Sequence, residues 1–213
     1  MGLKTVGAVL AARALFSFAS PGPTAAAFPG AVRFATAEAA SPSPVPGIED
    51  QIARAVAASR PGREHEWLAP LIGSWTAEWN WYAPQLPSLH LTGSAENRWG
   101  LGRRFLISEA TAGEGDSRVE GLTVYGYDAA ERRFFSVIFD NLGLRGTGQT
   151  GTYDPVEQSF ILTGRERNPA AGGFVVYRYF IKIQGPDRYT VTVLMNVPGH
   201  PAQKVIDAEF KRR

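Results

Sequence analysis

The sequence predicts an all-β protein, a single antiparallel up-and-down barrel of about ten strands preceded by a short helix. Beyond residue 73, short runs rich in β-branched and aromatic residues alternate with Gly, Pro, Asp and Asn at intervals of about 8–14 residues. No segment between these runs is long enough for a crossover helix, so neighbouring strands must pair antiparallel. Consecutive antiparallel strands leave hydrophobic edges unless the sheet closes on itself. A closed barrel of this size has room for a small apolar ligand.

Two turns within the strand region have matching sequences. Tyr127-Asp128 and Tyr153-Asp154 each lead into a turn, and Phe134 and Phe160 follow the two turns. Such an echo is typical of successive hairpins in a meander. We predict strands at roughly 73–82, 88–99, 103–112, 118–127, 132–140, 144–153, 159–167, 173–184, 188–197 and 203–211.

Residues 1–46 differ in composition from the rest and are predicted to be a leader with a Pro-rich linker. Lys4 precedes a short apolar stretch, and small residues follow at 24–27, a pattern typical of an export signal. Arg13 interrupts the apolar stretch, which leaves an organellar transit peptide or an overlong gene model open as alternatives. We expect export to the periplasm or exterior, with an organellar or cytoplasmic location as the alternative. No apolar run reaches the roughly 18–20 residues of a membrane span.

Residues 47–63 are predicted to hold a helix and a linker, and residues 64–213 the barrel. Ile48, Ile52 and Val56 recur at the spacing of one helical stripe. Acidic residues stand in the first turn, where the helix dipole favours them. Pro61-Gly62 ends the segment.

The charge pattern argues against nucleic-acid binding. The leader carries Lys4, Arg13 and Arg33 against Glu38, so it accounts for the net charge of +2. The remaining residues hold 19 basic and 19 acidic side chains, and a neutral chain lacks the basic surface that binds phosphates. The chain has no cysteine, which excludes disulfides, thiolate zinc sites and cysteine nucleophiles.

Several segments resemble a known family. Gly73-Ser74-Trp75 resembles the Gly-x-Trp motif at the start of lipocalin barrels, where the Trp plugs the barrel floor. In order and spacing, the segments 100–106, 121–128, 139–141 and 151–154 resemble the bacterial lipocalin-like family called domain of unknown function 1579. The resemblance covers about residues 64–213. It implies a calycin-like barrel and assigns no activity.

A more distant similarity is to the haem-binding barrels called nitrobindins, which use a histidine near the C-terminal end as the iron ligand. The late histidine here, His200, falls in the turn-like segment 197–201, so haem is disfavoured and no cofactor is predicted. His65, His90 and His200 are isolated in sequence, so we predict no metal site.

The first strand predicts an aromatic wall. Trp75, Ala77, Trp79 and Trp81 alternate onto one face of that strand. If Trp75 faces inward, Trp79 and Trp81 do too, and with Tyr125 they are candidate ligand-binding residues for a planar or apolar molecule. The alternative is that these rings simply fill the barrel core.

Charged residues on apolar strand faces are the second set of candidates, because a buried charge is costly unless it is paired. A buried carboxylate paired with an arginine would orient the polar end of a ligand or act in acid–base chemistry. The alternatives are an internal salt bridge or an outward-facing charge. The candidates are Glu96, Glu109, Asp140 and Arg178.

The function expected from these features is binding of a small apolar or amphipathic molecule inside the barrel. The alternative is a barrel enzyme (a cyclase, isomerase or hydrolase) using an interior carboxylate such as Glu109 or Asp140. A third interpretation is a structural or interaction domain with a filled core. No catalytic residue is assigned. The barrel interior discriminates among these possibilities. A cavity above roughly 300 Å³ with one or two polar groups favours binding, and a solvent-open cavity containing a carboxylate of raised pKa favours the enzyme. A solidly packed barrel excludes both of the first two.

Overall fold

The computed structural model describes residues 47–83, 86–168 and 173–213. The predicted leader and linker, residues 1–46, lie outside the described residues, and export stays a prediction. Residues 47–60 and 61–213 belong to different compact units, so the two parts are described separately.

The predicted helix is present as α1, Ile48–Ala58. Glu49 and Asp50 stand in its first turn, and the backbone N–H of Ser59 closes it by donating to the carbonyl of Ala55 at 3.0 Å. None of its side chains is buried. Across the described ranges, no helix is both long and apolar enough to cross a membrane.

The second unit is a closed ten-stranded antiparallel barrel, as predicted. Each strand pairs with its sequence neighbours, and β1 also pairs with β10, so the sheet has no free edge. The predicted strand ends lie within three residues of the observed ones. A helix α2 (Arg63–Glu66) and a 3-10 turn (Ala69–Leu71) precede the strands β1 (Gly73–Trp81), β2 (Leu89–Gly100), β3 (Phe105–Ala112), β4 (Val119–Asp128), β5 (Arg133–Asp140), β6 (Thr147–Asp154), β7 (Ser159–Asn168), β8 (Gly173–Ile183), β9 (Arg188–Asn196) and β10 (Gln203–Arg212).

The two matching turns have the same geometry. Asp128 Oδ1 accepts the N–H groups of the residues two and three positions later, at 2.9 and 3.1 Å. Asp154 Oδ1 makes the same pair of bonds at the same distances. Arg132 and Gln158, at equivalent positions, both adopt a left-handed conformation with φ of 53° and 49°. The sequence echo therefore encodes two copies of one Asx-type turn.

The end of the barrel where β1 begins is the floor, and the opposite end, where β1 finishes at Trp81, is the mouth. The segment 63–72 covers the floor. Its Leu68 and Leu71 are 1% and 3% exposed and pack with Trp75, which is fully buried. The indole N–H of Trp75 donates to the carbonyl of Leu71 at 3.0 Å. The Gly-x-Trp motif thus places Trp75 as the plug that the resemblance implies.

Arg212, near the end of β10, ties the floor together. Its guanidinium donates to the carbonyls of Ile72 at 2.8 Å and Pro186 at 2.6 Å, and lies 4.3 Å from the centre of a Trp75 ring. It also forms an ion pair with Asp187 at 3.2 Å. One side chain therefore joins the floor segment, the β8–β9 turn and the plug.

Replacing Arg212 with lysine tests this role. Lysine keeps the charge but lacks the planar fork that reaches two carbonyls at once and stacks on an indole. We expect Arg212→Lys to lower the free energy of unfolding by about 1–3 kcal/mol, measured by urea denaturation followed by tryptophan fluorescence. Arg213→Lys is the matched control, because the Arg213 side chain forms a long ion pair with Glu96 at 3.7 Å and its backbone hydrogen bond to Ser74 is unaffected by the change, so stability should change little. Equal effects of the two variants would contradict the role assigned to Arg212.

Glycines in β6 provide a second test of the packing. A Cβ at Gly151 would overlap the backbone carbonyl of Ile161 on β7, whereas a Cβ at Gly148 in the same strand would have no heavy atom within 4 Å. We expect Gly151→Ala to destabilise the barrel by about 2 kcal/mol or more, because backbone must move. Gly148→Ala should be neutral or slightly stabilising. Thermal unfolding of the two variants measures the difference in stability. Equal melting temperatures would contradict the close approach of β6 to β7 at Gly151.

Candidate functional site

The mouth half of the barrel contains a cavity of about 250 Å³. Its base is an aromatic layer in which Tyr189 and Phe210 stack at 4.3 Å and Trp79 meets Phe210 edge-on at 5.3 Å. Its sides come from every strand except β2 and β6. The lining residues include Trp79, Trp81, Tyr82, Ser108, Ala110, Thr123, Tyr125, Ile138, Asp140, Glu166, Arg167, Tyr177, Tyr179, Tyr189, Val191, Val193, Met195, Val205 and Phe210.

Four of the predicted site residues line this cavity. Trp79 and Trp81 follow the buried Trp75 on the inward face of β1, so the predicted aromatic wall is present. Tyr125 and Asp140 reach the cavity from the inward faces of β4 and β5. The structure brings these side chains together, and their role as ligand contacts stays a prediction.

The other three predicted residues do not reach the cavity. Glu109 is exposed and receives a hydrogen bond from Arg98 at 3.1 Å on the outer face of the barrel. Glu96 is also exposed and accepts the hydroxyl of Ser74 at 2.6 Å. Arg178 lies between the cavity-lining Tyr177 and Tyr179 in sequence, so its side chain projects from the opposite face of β8. The expectation that Glu96, Glu109 and Arg178 face the interior is wrong.

Glu166 is a lining residue that the sequence analysis missed. It is 8% exposed and follows Phe160, Leu162 and Gly164 on the inward face of β7. Alternation from Phe160 would have found it, since the same rule located Asp140. Asp140 and Glu166 therefore place two acidic residues in the wall towards the mouth. Arg167, the next residue on β7, borders the cavity but is exposed, and its side chain leaves the opposite face of the strand.

Two indole N–H groups in the cavity wall have no hydrogen-bond acceptor. The Nε1 atoms of Trp79 and Trp81 are buried and unpartnered, whereas Nε1 of Trp75 donates to a carbonyl. An unsatisfied buried donor costs about 1–3 kcal/mol relative to a paired one. Native interiors contain few such groups, so two on one face of one strand require a physical explanation.

Two tyrosines in the cavity wall, Tyr189 and Tyr125, have raised pKa values. The hydroxyl of Tyr189 accepts a hydrogen bond from Nδ2 of Asn97 at 3.3 Å, and burial raises its pKa far above the ordinary value. Burial also raises the pKa of Tyr125 from 10.0 to about 12, offset in part by a hydrogen bond with Thr123. Both phenols therefore stay neutral in the folded protein at physiological pH.

The histidines lie away from the cavity. His200 is exposed in the turn between β9 and β10, and His90 is exposed near the start of β2. His65 lies in α2, where its Nδ1 accepts the N–H of Gly62 at 3.1 Å. Within the described ranges, no group of three or more His, Asp or Glu side chains is arranged to hold a metal ion.

The family described as protein of unknown function DUF1579 matches residues 60–212, which cover both the floor segment and all ten strands. The chain belongs to this family. The match confirms the resemblance carried by the Gly-x-Trp motif and the segments that follow it. A comparison with curated protein sequences finds no match.

Three solved structures are similar to this chain at low sequence identity. Rv2717c from M. tuberculosis is 16% identical, with a TM-score of 0.51, over 71% of this chain and 98% of that one. The S-type phycobiliprotein lyase CPES from Guillardia theta is 12% identical, with a TM-score of 0.49, over 79% of this chain and 98% of that one. A redesigned β-barrel is 10% identical, with a TM-score of 0.34, over 68% and 93%. The first of these likenesses shows the fold.

Burial of Tyr125 predicts a loss of stability at alkaline pH. Below pH 10 the phenol is protonated in both the folded and unfolded states. Between pH 10 and about 12 the unfolded chain loses this proton while the folded protein retains it, so stability falls as pH rises. A shift of two units corresponds to about 3 kcal/mol. Because one state is half-titrated at each end of the window, we expect Tyr125→Phe to reduce the loss between pH 10 and 12 by about 2 kcal/mol, measured by urea unfolding at each pH. Tyr82→Phe is the control, and an equal change in both variants would contradict the assignment.

Proposed function

We propose that this protein binds a small apolar or amphipathic molecule inside the barrel. The observation that carries the proposal is the cavity of about 250 Å³ above the aromatic layer, with rings around it and polar groups towards the mouth. Ligand sites are typically concave and mostly apolar, with a few convergent polar groups that fix orientation.

The volume sets the size of the ligand. Drug-sized molecules occupy pockets of roughly 300–1,000 Å³, and a dry cavity of about 150 Å³ accepts benzene. A cavity of 250 Å³ therefore suits a molecule of about ten non-hydrogen atoms. The aromatic walls favour a flat or cyclic body, which stacks on rings or meets them edge-on.

The alternative proposal, an enzyme on the same barrel, now depends on different residues. Glu109 is on the outer face of the barrel, and among the described residues the carboxylates that line the cavity are Asp140 and Glu166. Both side chains belong to the cavity wall, which keeps acid–base chemistry on a bound ligand as the second candidate.

Filling the cavity tests the proposal. Ala110 lines the cavity from β3, and Val191 lines it from β9. We expect Ala110→Trp, and the smaller change Val191→Phe, to weaken binding of indane and 2-phenylethanol at least tenfold in isothermal titration calorimetry, because each new ring occupies the ligand volume. Ala129→Trp is the matched control, since Ala129 is exposed in the β4–β5 turn.

Native mass spectrometry of the protein purified from its own source complements the titrations. A co-purified molecule of about ten non-hydrogen atoms, lost from the cavity-filling variants and retained by Ala129→Trp, supports the proposal. Failure of the wild-type barrel to bind either probe, or unchanged binding in the filled variants, overturns it.

A further inference from the structure

The two unpartnered indoles indicate what the ligand carries. Trp79 and Trp81 are two residues apart on the inward face of β1, so their Cα atoms are separated by about 7 Å and both rings face the same cavity. An indole N–H is a donor and never an acceptor. None of the described residues accepts a hydrogen bond from these groups, so their acceptor comes from another molecule, either water or a ligand.

The charges of the wall restrict the kind of acceptor. Two acidic residues, Asp140 and Glu166, line the cavity. The one basic residue among the described lining residues is Arg167, which is exposed and directs its side chain to the other face of β7. A carboxylate ligand would meet this acidic excess in a low-dielectric site, which disfavours it. A protonated amine would suit the charges but carries no acceptor for the indoles. A neutral oxygen acceptor satisfies both conditions.

We propose that the ligand is a neutral cyclic or aromatic carbonyl compound whose oxygen accepts a hydrogen bond from the indole N–H of Trp79 or Trp81. This inference rests on the proposed function and narrows it to one chemical class. The carbonyl oxygen offers two lone pairs, so it can accept from one or both donors. The apolar body lies against the tyrosine rings and the Tyr189–Phe210 layer at the base.

The proposal requires a small movement of the rings. Each Nε1 atom is covered by neighbouring atoms in this structure. The movement required by the proposal is a rotation of the indole about its Cβ–Cγ bond, a soft terminal torsion, that directs the N–H towards the cavity. The indole N–H resonances report that rotation directly.

Four probes with one bicyclic body test the chemistry: indane, 1-indanone, protonated 1-aminoindane and indane-1-carboxylate. We expect 1-indanone to bind about tenfold more tightly than indane and more tightly than either charged probe, by isothermal titration calorimetry. In ¹H–¹⁵N spectra, 1-indanone should shift the indole N–H of Trp79 or Trp81 downfield. Indane should bind without that shift, and the five tryptophans of the chain keep the spectrum simple to assign.

Phenylalanine variants remove the donor and keep an aromatic ring. The double variant Trp79→Phe/Trp81→Phe should lower the affinity for 1-indanone to that for indane, and Trp99→Phe, a tryptophan outside the cavity wall, should leave both affinities unchanged. The indole N–H shifts are measured on the wild-type protein, so they test the proposal even if the double variant does not fold. Equal binding of indane and 1-indanone, or tighter binding of a charged probe, overturns the carbonyl proposal alone. Absence of binding by all four probes overturns the proposed function as well.

Discussion

The contact between Trp75 and Arg212 at the barrel floor determines much of what lies above it. Arg212 stands on β10, the strand that closes the barrel against β1, and its guanidinium lies over the Trp75 ring while holding the carbonyls of Ile72 and Pro186. The plug is thereby held from the strand, the floor segment and a neighbouring turn. Because side chains alternate along a strand, an inward Trp75 obliges Trp79 and Trp81 to face inward as well. The contacts that hold Trp75 at the floor therefore also set the inward orientation of Trp79 and Trp81, which form the aromatic wall of the cavity.

The cavity itself follows from an uneven distribution of side-chain size. Near the floor, Trp67 stacks on Tyr153 at 4.9 Å and Phe134 meets Phe160 at 5.0 Å, so that half of the barrel is filled. Towards the mouth, large rings on β1 and β8 face small side chains on β3 and β4, namely Ser108, Ala110, Gly121 and Thr123. Protein interiors are otherwise close-packed, and small residues opposite rings leave space that the rings cannot occupy.

The same alternation explains which parts of the site could be predicted from the sequence. The strands and closure follow from turn residues and connection lengths, and β1 could be oriented because Trp75 supplied an anchor. On β3 both faces are largely apolar, since Phe105 and Ile107 point outward while Leu106 is buried, so Glu109 could not be assigned to a face. The apolar outer face continues on neighbouring strands, where Phe105 packs against Phe135 at 6.2 Å. Arg178 was misassigned for the same reason, because β8 is apolar on both faces. The register of each strand with its neighbours shows which face Glu109 and Arg178 occupy, and a single sequence does not reveal that register.

The cavity and its unpaired donors are both unfavourable for stability, and that is the strongest physical argument that they serve a ligand. The cavity of about 250 Å³ leaves its apolar wall without packing partners on one side, so the wall loses dispersion contacts that a filled interior would make. Larger side chains on β3 and β4 would remove much of that deficit, and phenylalanine in place of either unpaired tryptophan would remove a donor. Departures from good packing and hydrogen bonding concentrate at functional sites, and here both departures occur in the same wall.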